Sequence, residues 1–222
     1  MAQAQPLPDP VVYADPTMAR QRLYQLGLTP ERLWSAFNFG IAERRNCTAN
    51  DPVWLPGILT SGKIMRGLRD ELVPLKWTIS NKLGYATVVH PGGLLAIGVS
   101  SGDRSAGDPA GHPSTKTEKG PATEHAVAVN QLGFWNVAPG DFPPPPATTP
   151  TYLFLYCVDD DAGIVGAELS LPIFLSPDGR IHDWQERIPL FLSDPNAGTR
   201  NLGDADDDDG EEIRIDIERL AS

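Results

Sequence analysis

The spacing of apolar residues changes once along this chain, at Pro74, and that change limits the folds open to it. Between Asp15 and Leu72 apolar residues recur every three to four positions, as on a helix with one buried face. From Trp77 onward they recur every second position, as on a strand. Asp15-Pro16 and Thr29-Pro30 each set a capping side chain before a proline at the first helical position. The first helix runs through Leu23 and Leu26 and stops at Gly27. The second carries Leu33, Phe37 and Ile41 on one face, widened by Trp34, and the third starts near Ser61 with Ile64, Leu68 and Leu72.

Residues 77–79, 85–89 and 94–99 then read as an antiparallel meander. A second strand group covers 152–158, 164–171 and 189–192, and Ile213, Ile215 and Ile217 alternate with charges in a final half-buried strand. A short helix capped by Thr123 and running through Val127 and Leu132 lies between the groups. The expectation is an α+β protein with N-terminal helices followed by a largely antiparallel β-sheet of two strand groups. At 222 residues a single domain over 15–222 is the default, behind a flexible leader over 1–14 that has three prolines in its first ten residues. That domain contains a long loop at 100–121, a proline-rich spacer at 142–150 and an acidic segment at 204–212.

Where the charge sits narrows the partners. From Asp204 to Glu218 there are nine acids and one arginine, which accounts for −8 of the net −11, so the rest of the chain is nearly neutral. An acidic tail repels nucleic acid and anionic lipid, so non-specific nucleic-acid binding is disfavoured and a protein partner is expected. No apolar run is long enough for a membrane helix, and the N-terminus has neither the charged start nor the apolar stretch of a signal peptide. With only Cys47 and Cys157, the expected compartment is a reducing cytoplasm. Thirteen arginines against five lysines, with abundant Ala, Gly and Pro, suit a GC-rich bacterial genome.

Several catalytic patterns nearly match. Residues 57–63 fit a phosphate-cradling loop until Ile64 takes the place of the magnesium-binding Ser or Thr, and two prolines precede it where a strand is needed. Gly98-Val99-Ser100-Ser101-Gly102 matches a nucleophile elbow, with Asp159 and His182 following in hydrolase order and His90-Pro91-Gly92-Gly93 imitating an oxyanion loop. The elbow needs a helix after the serine, and residues 103–109 do not form one readily. Asp159 and Asp161 with Glu168 on the next strand resemble an acidic metal-binding hairpin. They would hold Mg or Mn as cofactor for a phosphodiesterase or nuclease, although Ser170 stands where the lysine is usual. The run from Asp204 lacks the glycine and glutamate of a calcium loop. The four histidines are scattered, and neither cysteine has zinc-ligand spacing.

The 100–125 loop gathers what remains: Asp103, Arg104, Thr115, Lys116, Lys119 and Glu124, among hydroxyls and small residues that suit an anionic ligand. The leading expectation is an accessory or binding protein acting through this loop and the acidic C-terminal segment. The metal-dependent hydrolase using Asp159, Asp161 and Glu168 is the alternative, and a serine hydrolase through Ser100 is third.

Overall fold

A computed structural model of the chain describes residues 9–135, 149–160 and 162–191. Helix α1, Pro16–Gln25, starts where the Asp15 carboxylate accepts the backbone N–H groups of Thr17 and Met18, both at 2.9 Å. Helix α2, Pro30–Arg44, starts at Thr29, whose hydroxyl accepts the Arg32 N–H. Helix α3, Leu55–Leu72, begins six residues before the expected start at Ser61. Pro56 is the reason: in a first turn its missing N–H forfeits no helical hydrogen bond, so it opens the helix instead of breaking it. Residues 57–63 are therefore helical, and the segment that imitates a phosphate loop is not a loop. Helices α2 and α3 approach backbone to backbone, since a Cβ on Gly67 would lie 2.7 Å from the Ala36 Cα.

The strands are β1 (Val11–Val12), β2 (Thr78–Ser80), β3 (Thr87–Val89), β4 (Ala96–Ser101), β5 (Thr151–Asp159), β6 (Ile164–Phe174) and β7 (Asp183–Pro189), with helix α4 (Pro121–Trp135) between β4 and β5. They form one sheet in the order β1-β7-β6-β5-β4-β3-β2. The expected α+β class holds, but the sheet is mixed and the helices are not all N-terminal. Neighbouring strands are antiparallel within β2-β3-β4 and within β5-β6-β7, and the two trios meet through the parallel pair β4–β5. The crossover through α4 carries the chain back to the end of the sheet where β4 began, so β5 enters in the same direction. Val11 and Val12, inside the segment read as a leader, pair in parallel with Glu186 and Arg187. Strand β7 starts six residues before the expected 189, because Asp183, Glu186 and Arg187 mask its alternation. The expected final strand at 213–217, the acidic segment and spacer residues 142–148 lie outside the described residues.

Both faces of the sheet are covered. Tyr152, Phe154 and Tyr156 of β5 pack with Leu33, Phe37, Ile64 and Leu68 under α1–α3, while Leu153, Leu155 and Cys157 pack with Val127 of α4, Ile181 and Trp184. This explains why β5 reads as an unbroken apolar run: a central strand buried on both faces has no solvent side to alternate toward. Asn130 locks α4 down, with its amide donating to the Thr151 and Pro172 carbonyls at 3.0 and 2.9 Å while its oxygen accepts from the Thr151 N–H. Among the described residues no helix is long and apolar enough to cross a membrane.

Candidate functional site

The long loop after β4 is fastened to the sheet along its length. Gly102 bridges to Thr115, the Lys116 N–H donates to the Ser101 carbonyl, and the Thr115 N–H donates to the Ile181 carbonyl. Asp103 acts inside the loop, accepting from the Ser105 N–H and from both the N–H and hydroxyl of Ser114. The Trp184 indole donates to the Pro113 carbonyl at 2.8 Å. Asp103 and the buried Thr115 thus hold the loop's shape.

Glu168 has a similar part. It is wholly buried and paired at 2.7 Å with Arg187, which is also buried, and it accepts the Gly107 N–H and the Ser170 hydroxyl. The Arg187 guanidinium also donates to the Gly111 and Asp108 carbonyls at 2.6 and 2.9 Å, so one ion pair ties β6 and β7 to the loop. In the hairpin expected to hold a metal, Glu168 is turned inward, with its charge taken up by Arg187. Asp159 pairs in the ladder with Ile164 and Glu168 with Leu155, which puts the two carboxylates four residues apart along the strands, roughly 13 Å. Asp159 is turned to the Ala162 N–H and to Arg104 at 2.6 Å, and these two hold its carboxyl below the usual range. Asp161 lies outside the described residues. Among the described residues no group of three or more His, Cys, Asp or Glu could hold a metal ion.

Ser100 is buried on the face of β4 toward Leu155, and its hydroxyl donates to the Ser101 carbonyl. His182 pairs with Asp178 at 2.9 Å, and β4 runs into turns without the helix that a nucleophile elbow requires. Glu124 is exposed in the first turn of α4. Lys119 is partly buried beside the Thr117 hydroxyl, and burial pushes its ammonium from an ordinary value of 10.5 down to about 8. Between those pH values the unfolded chain carries a proton that the folded chain lacks, so Lys119 makes stability rise with pH across that window. The burial cost is present in full below pH 8. In Lys119→Met the rise between pH 8 and 10 should flatten, read as the shift of the urea midpoint relative to the parent protein.

Lys116 stands apart because it opens onto a cleft. A cavity of about 850 Å³ lies between α3, the carboxyl ends of β4 and β5, and the start of the loop. Its floor is Val99 and Ser101 of β4 with Tyr156 and Val158 of β5, where the Tyr156 hydroxyl meets that of Ser61 at 2.7 Å. Burial raises the Tyr156 hydroxyl, with the Ser61 hydrogen bond opposing that rise. One wall is the outer face of α3, and its lip is apolar and exposed: Val53 by 99%, Trp54 by 62% and Ile58 by 64%. Apolar side chains gathered at a cavity mouth are more informative than the same residues scattered singly.

Three cations line the cavity, Arg44, Arg69 and Lys116, and no Asp or Glu is among its described lining residues. The charge of Arg44 is taken up by Asp160 at the rim, at 2.6 Å. Arg69 reaches only neutral oxygens, those of Ser80, Asn81 and Thr87, and its buried Nε has no partner among the described residues. Exposed Lys116 forms no ion pair with a described residue. The Tyr85 hydroxyl, packed over Gly98 where a Cβ would collide with it, is buried and likewise unpartnered. Burial pushes it up to about 12, since nearby Thr123 opposes this only weakly and is not in hydrogen-bond geometry.

The chain matches no protein-family model, no curated protein and no solved structure. The site must therefore be read from its own chemistry. Of the loop residues singled out in the sequence, Lys116 alone lines the cleft. Arg44, Trp54, Ser61, Arg69 and Tyr156 come from α2, the turn before α3, α3 itself and β5, and sequence reasoning missed all of them. The one available signal was Trp54 and Ile58, apolar residues outside the buried stripe of α3. No described histidine lines the cleft, so its hydroxyls have no imidazole base beside them. The arrangement can neutralise an anion, donate hydrogen bonds to it and cover an apolar portion.

Proposed function

We propose that this is a binding protein that holds an organic anion in the cleft between α3 and the ends of β4 and β5, with Lys116 of the long loop meeting the negative group. One observation carries the reading: an acidic protein has a cavity lined by Arg44, Arg69 and Lys116 and by no described carboxylate. A low-dielectric cleft lined by one sign of charge concentrates the opposite sign. Arg44 is already matched by Asp160, which leaves Lys116 and Arg69 to attract the ligand. Trp54 and Ile58 favour a ligand whose remainder is apolar or aromatic. An accessory role in the cytoplasm, with the ligand carried by a small molecule or a partner's acidic segment, is the setting that fits the expectation for the whole chain.

The dye 8-anilinonaphthalene-1-sulfonate combines an anion with an aromatic body and serves as the probe. Fluorescence titration should show saturable binding that weakens as salt rises. Lys116→Ala should weaken it about fivefold, because an exposed ammonium contributes about 1 kcal/mol. Trp54→Ala should weaken it at least about threefold through lost aromatic contact. Affinity indifferent to both changes would place the dye elsewhere and remove the support for this reading.

A further inference from the structure

We propose that the cleft takes a linear ligand with a negative group at each end, a dicarboxylate of medium chain length, held between Lys116 and Arg69. The proposal rests on the reading of the cleft as an anion site and adds the class of anion. Its first support is the order of side chains along α3. Ser61, Met65 and Arg69 follow at four-residue intervals on the face that lines the cleft, so its chemistry changes from hydroxyl to apolar to cation. Eight residue steps of helix separate Ser61 from Arg69, about 12 Å. At the Ser61 end stand the Tyr156 hydroxyl at 2.7 Å and Ser101, which is in register with Tyr156.

The sheet gives the same separation independently. Strand β5 holds one edge of β4 through the Ser101–Tyr156 pair, so β3 and the loop segment 115–116 both lie along the other edge. The antiparallel bridge from Gly102 to Thr115 sets Lys116 opposite Ser101, whose carbonyl accepts the Lys116 N–H at 2.9 Å. Arg69 is tied to that edge at the Thr87 carbonyl, one residue before Val88, which pairs with Ile97. Thr87 thus stands level with Gly98, three residues from Ser101, and the two anchor points are about 10 Å apart. Val99 and Ala86 lie between them on the sheet side and Met65 on the helix side, and all three line the cleft. An apolar spine suits that interval, because a polar group there would lose water without gaining a partner. The far end differs. Arg69 meets only neutral oxygens among the described residues, so a carboxylate arriving there supplies the counter-ion.

Isothermal titration calorimetry of the full-length protein with sebacate and decanoate tests the second anchor, because the two share a chain length and differ in one terminal carboxylate. At an apolar far end the methyl terminus would bind better, since a buried carboxylate without a counter-ion is strongly disfavoured. With Arg69 in place, sebacate should bind about fivefold more tightly than decanoate through a charge-assisted hydrogen bond. Succinate, too short to reach both cations, should show no such gain over butyrate. Arg69→Gln, which keeps amide donors for the Ser80 and Thr87 carbonyls, should abolish the sebacate preference. The comparison within the parent protein holds whether or not that variant folds. Decanoate matching or exceeding sebacate, an equal gain for succinate, or a preference that survives Arg69→Gln would overturn the proposal. If dye affinity depends on Lys116 and Trp54 while sebacate gains nothing, the anion cleft stands and the two-ended ligand falls. If neither the dye nor any of the carboxylates binds, the anion reading itself falls and takes this proposal with it.

Discussion

Glu168→Ala should lower folding stability by about 3–5 kcal/mol, because it leaves a charge buried without its counter-ion. Arg187 is only 2% exposed, and its remaining partners would be the Asp108 and Gly111 carbonyls, which cannot neutralise a guanidinium. The Gly107 N–H and the Ser170 hydroxyl would lose their acceptor in the same step. Urea unfolding measures the effect, and Glu168→Gln, which keeps an acceptor, should cost less. The double variant Glu168→Leu with Arg187→Met should recover much of the loss, since a buried ion pair and well-packed apolar residues of similar volume are often equally stable. A change below about 1 kcal/mol in Glu168→Ala would mean that water reaches the pair, contrary to its burial. This expectation separates the present account from the acidic-hairpin reading, in which the same substitution would abolish metal-dependent cleavage and leave folding largely intact.

Gly107→Ala should cost about 2–4 kcal/mol and also loosen the loop that carries Lys116, through backbone strain added to a steric clash. Gly107 has φ +86°, in the left-handed region, and a Cβ there would lie 2.6 Å from the Ala167 backbone nitrogen. The opposing strand is built to match, since a Cβ on Gly166 would collide with the Ala106 carbonyl. Two backbones meet here with no side chain between them, and that approach lets the Gly107 N–H reach Glu168 at 3.0 Å. Limited proteolysis should cut within 103–114 faster in the variant than in the parent protein. Equal cutting rates together with unchanged stability would show that the loop does not depend on this contact.

The two results bear on the same relation between fold and site. Lys116 is positioned by the Ser101 carbonyl behind it and by Thr115, which is held to Ile181 in both directions. Loosening the loop at Gly107 should therefore reach the cleft through Lys116 while leaving Arg69 and Tyr156 in place on α3 and β5.

Local chemistry made much of the molecule legible in advance. Asp15-Pro16 and Thr29-Pro30 start helices where they stand because a capping oxygen and a proline ring act within one turn and need no distant partner. The meander β2–β4 and the apolar run of β5 were readable for the same reason: period two and an unbroken buried stretch are properties of neighbouring residues. The start of α3 was misplaced because Pro56 signals either a break or a beginning, and the choice turns on the residues packed beneath it. Strand β7 was misplaced because Glu186 and Arg187 read as solvent-facing charges, whereas each is buried against a partner far along the chain, Arg22 for the first and Glu168 for the second.

The candidate site was less legible than the fold, since its members share no sequence neighbourhood. Asp103, Lys116 and Thr115 look equivalent as polar loop residues, and the direction of each side chain separates two structural fasteners from one group facing the cleft. By itself the sequence determined the types of most described elements, the α+β class, the ordinary balance of core and surface, and the concentration of negative charge near the C-terminus. The tertiary structure alone decided that β4 and β5 run parallel, that Glu168 closes a buried ion pair, and that Arg69, Trp54, Tyr156 and Lys116 surround one cavity. The division has a physical cause. Caps, turns and periodicity are set by interactions within a few residues, whereas strand direction, charge pairing and cavities depend on contacts between segments brought together only when the core is buried.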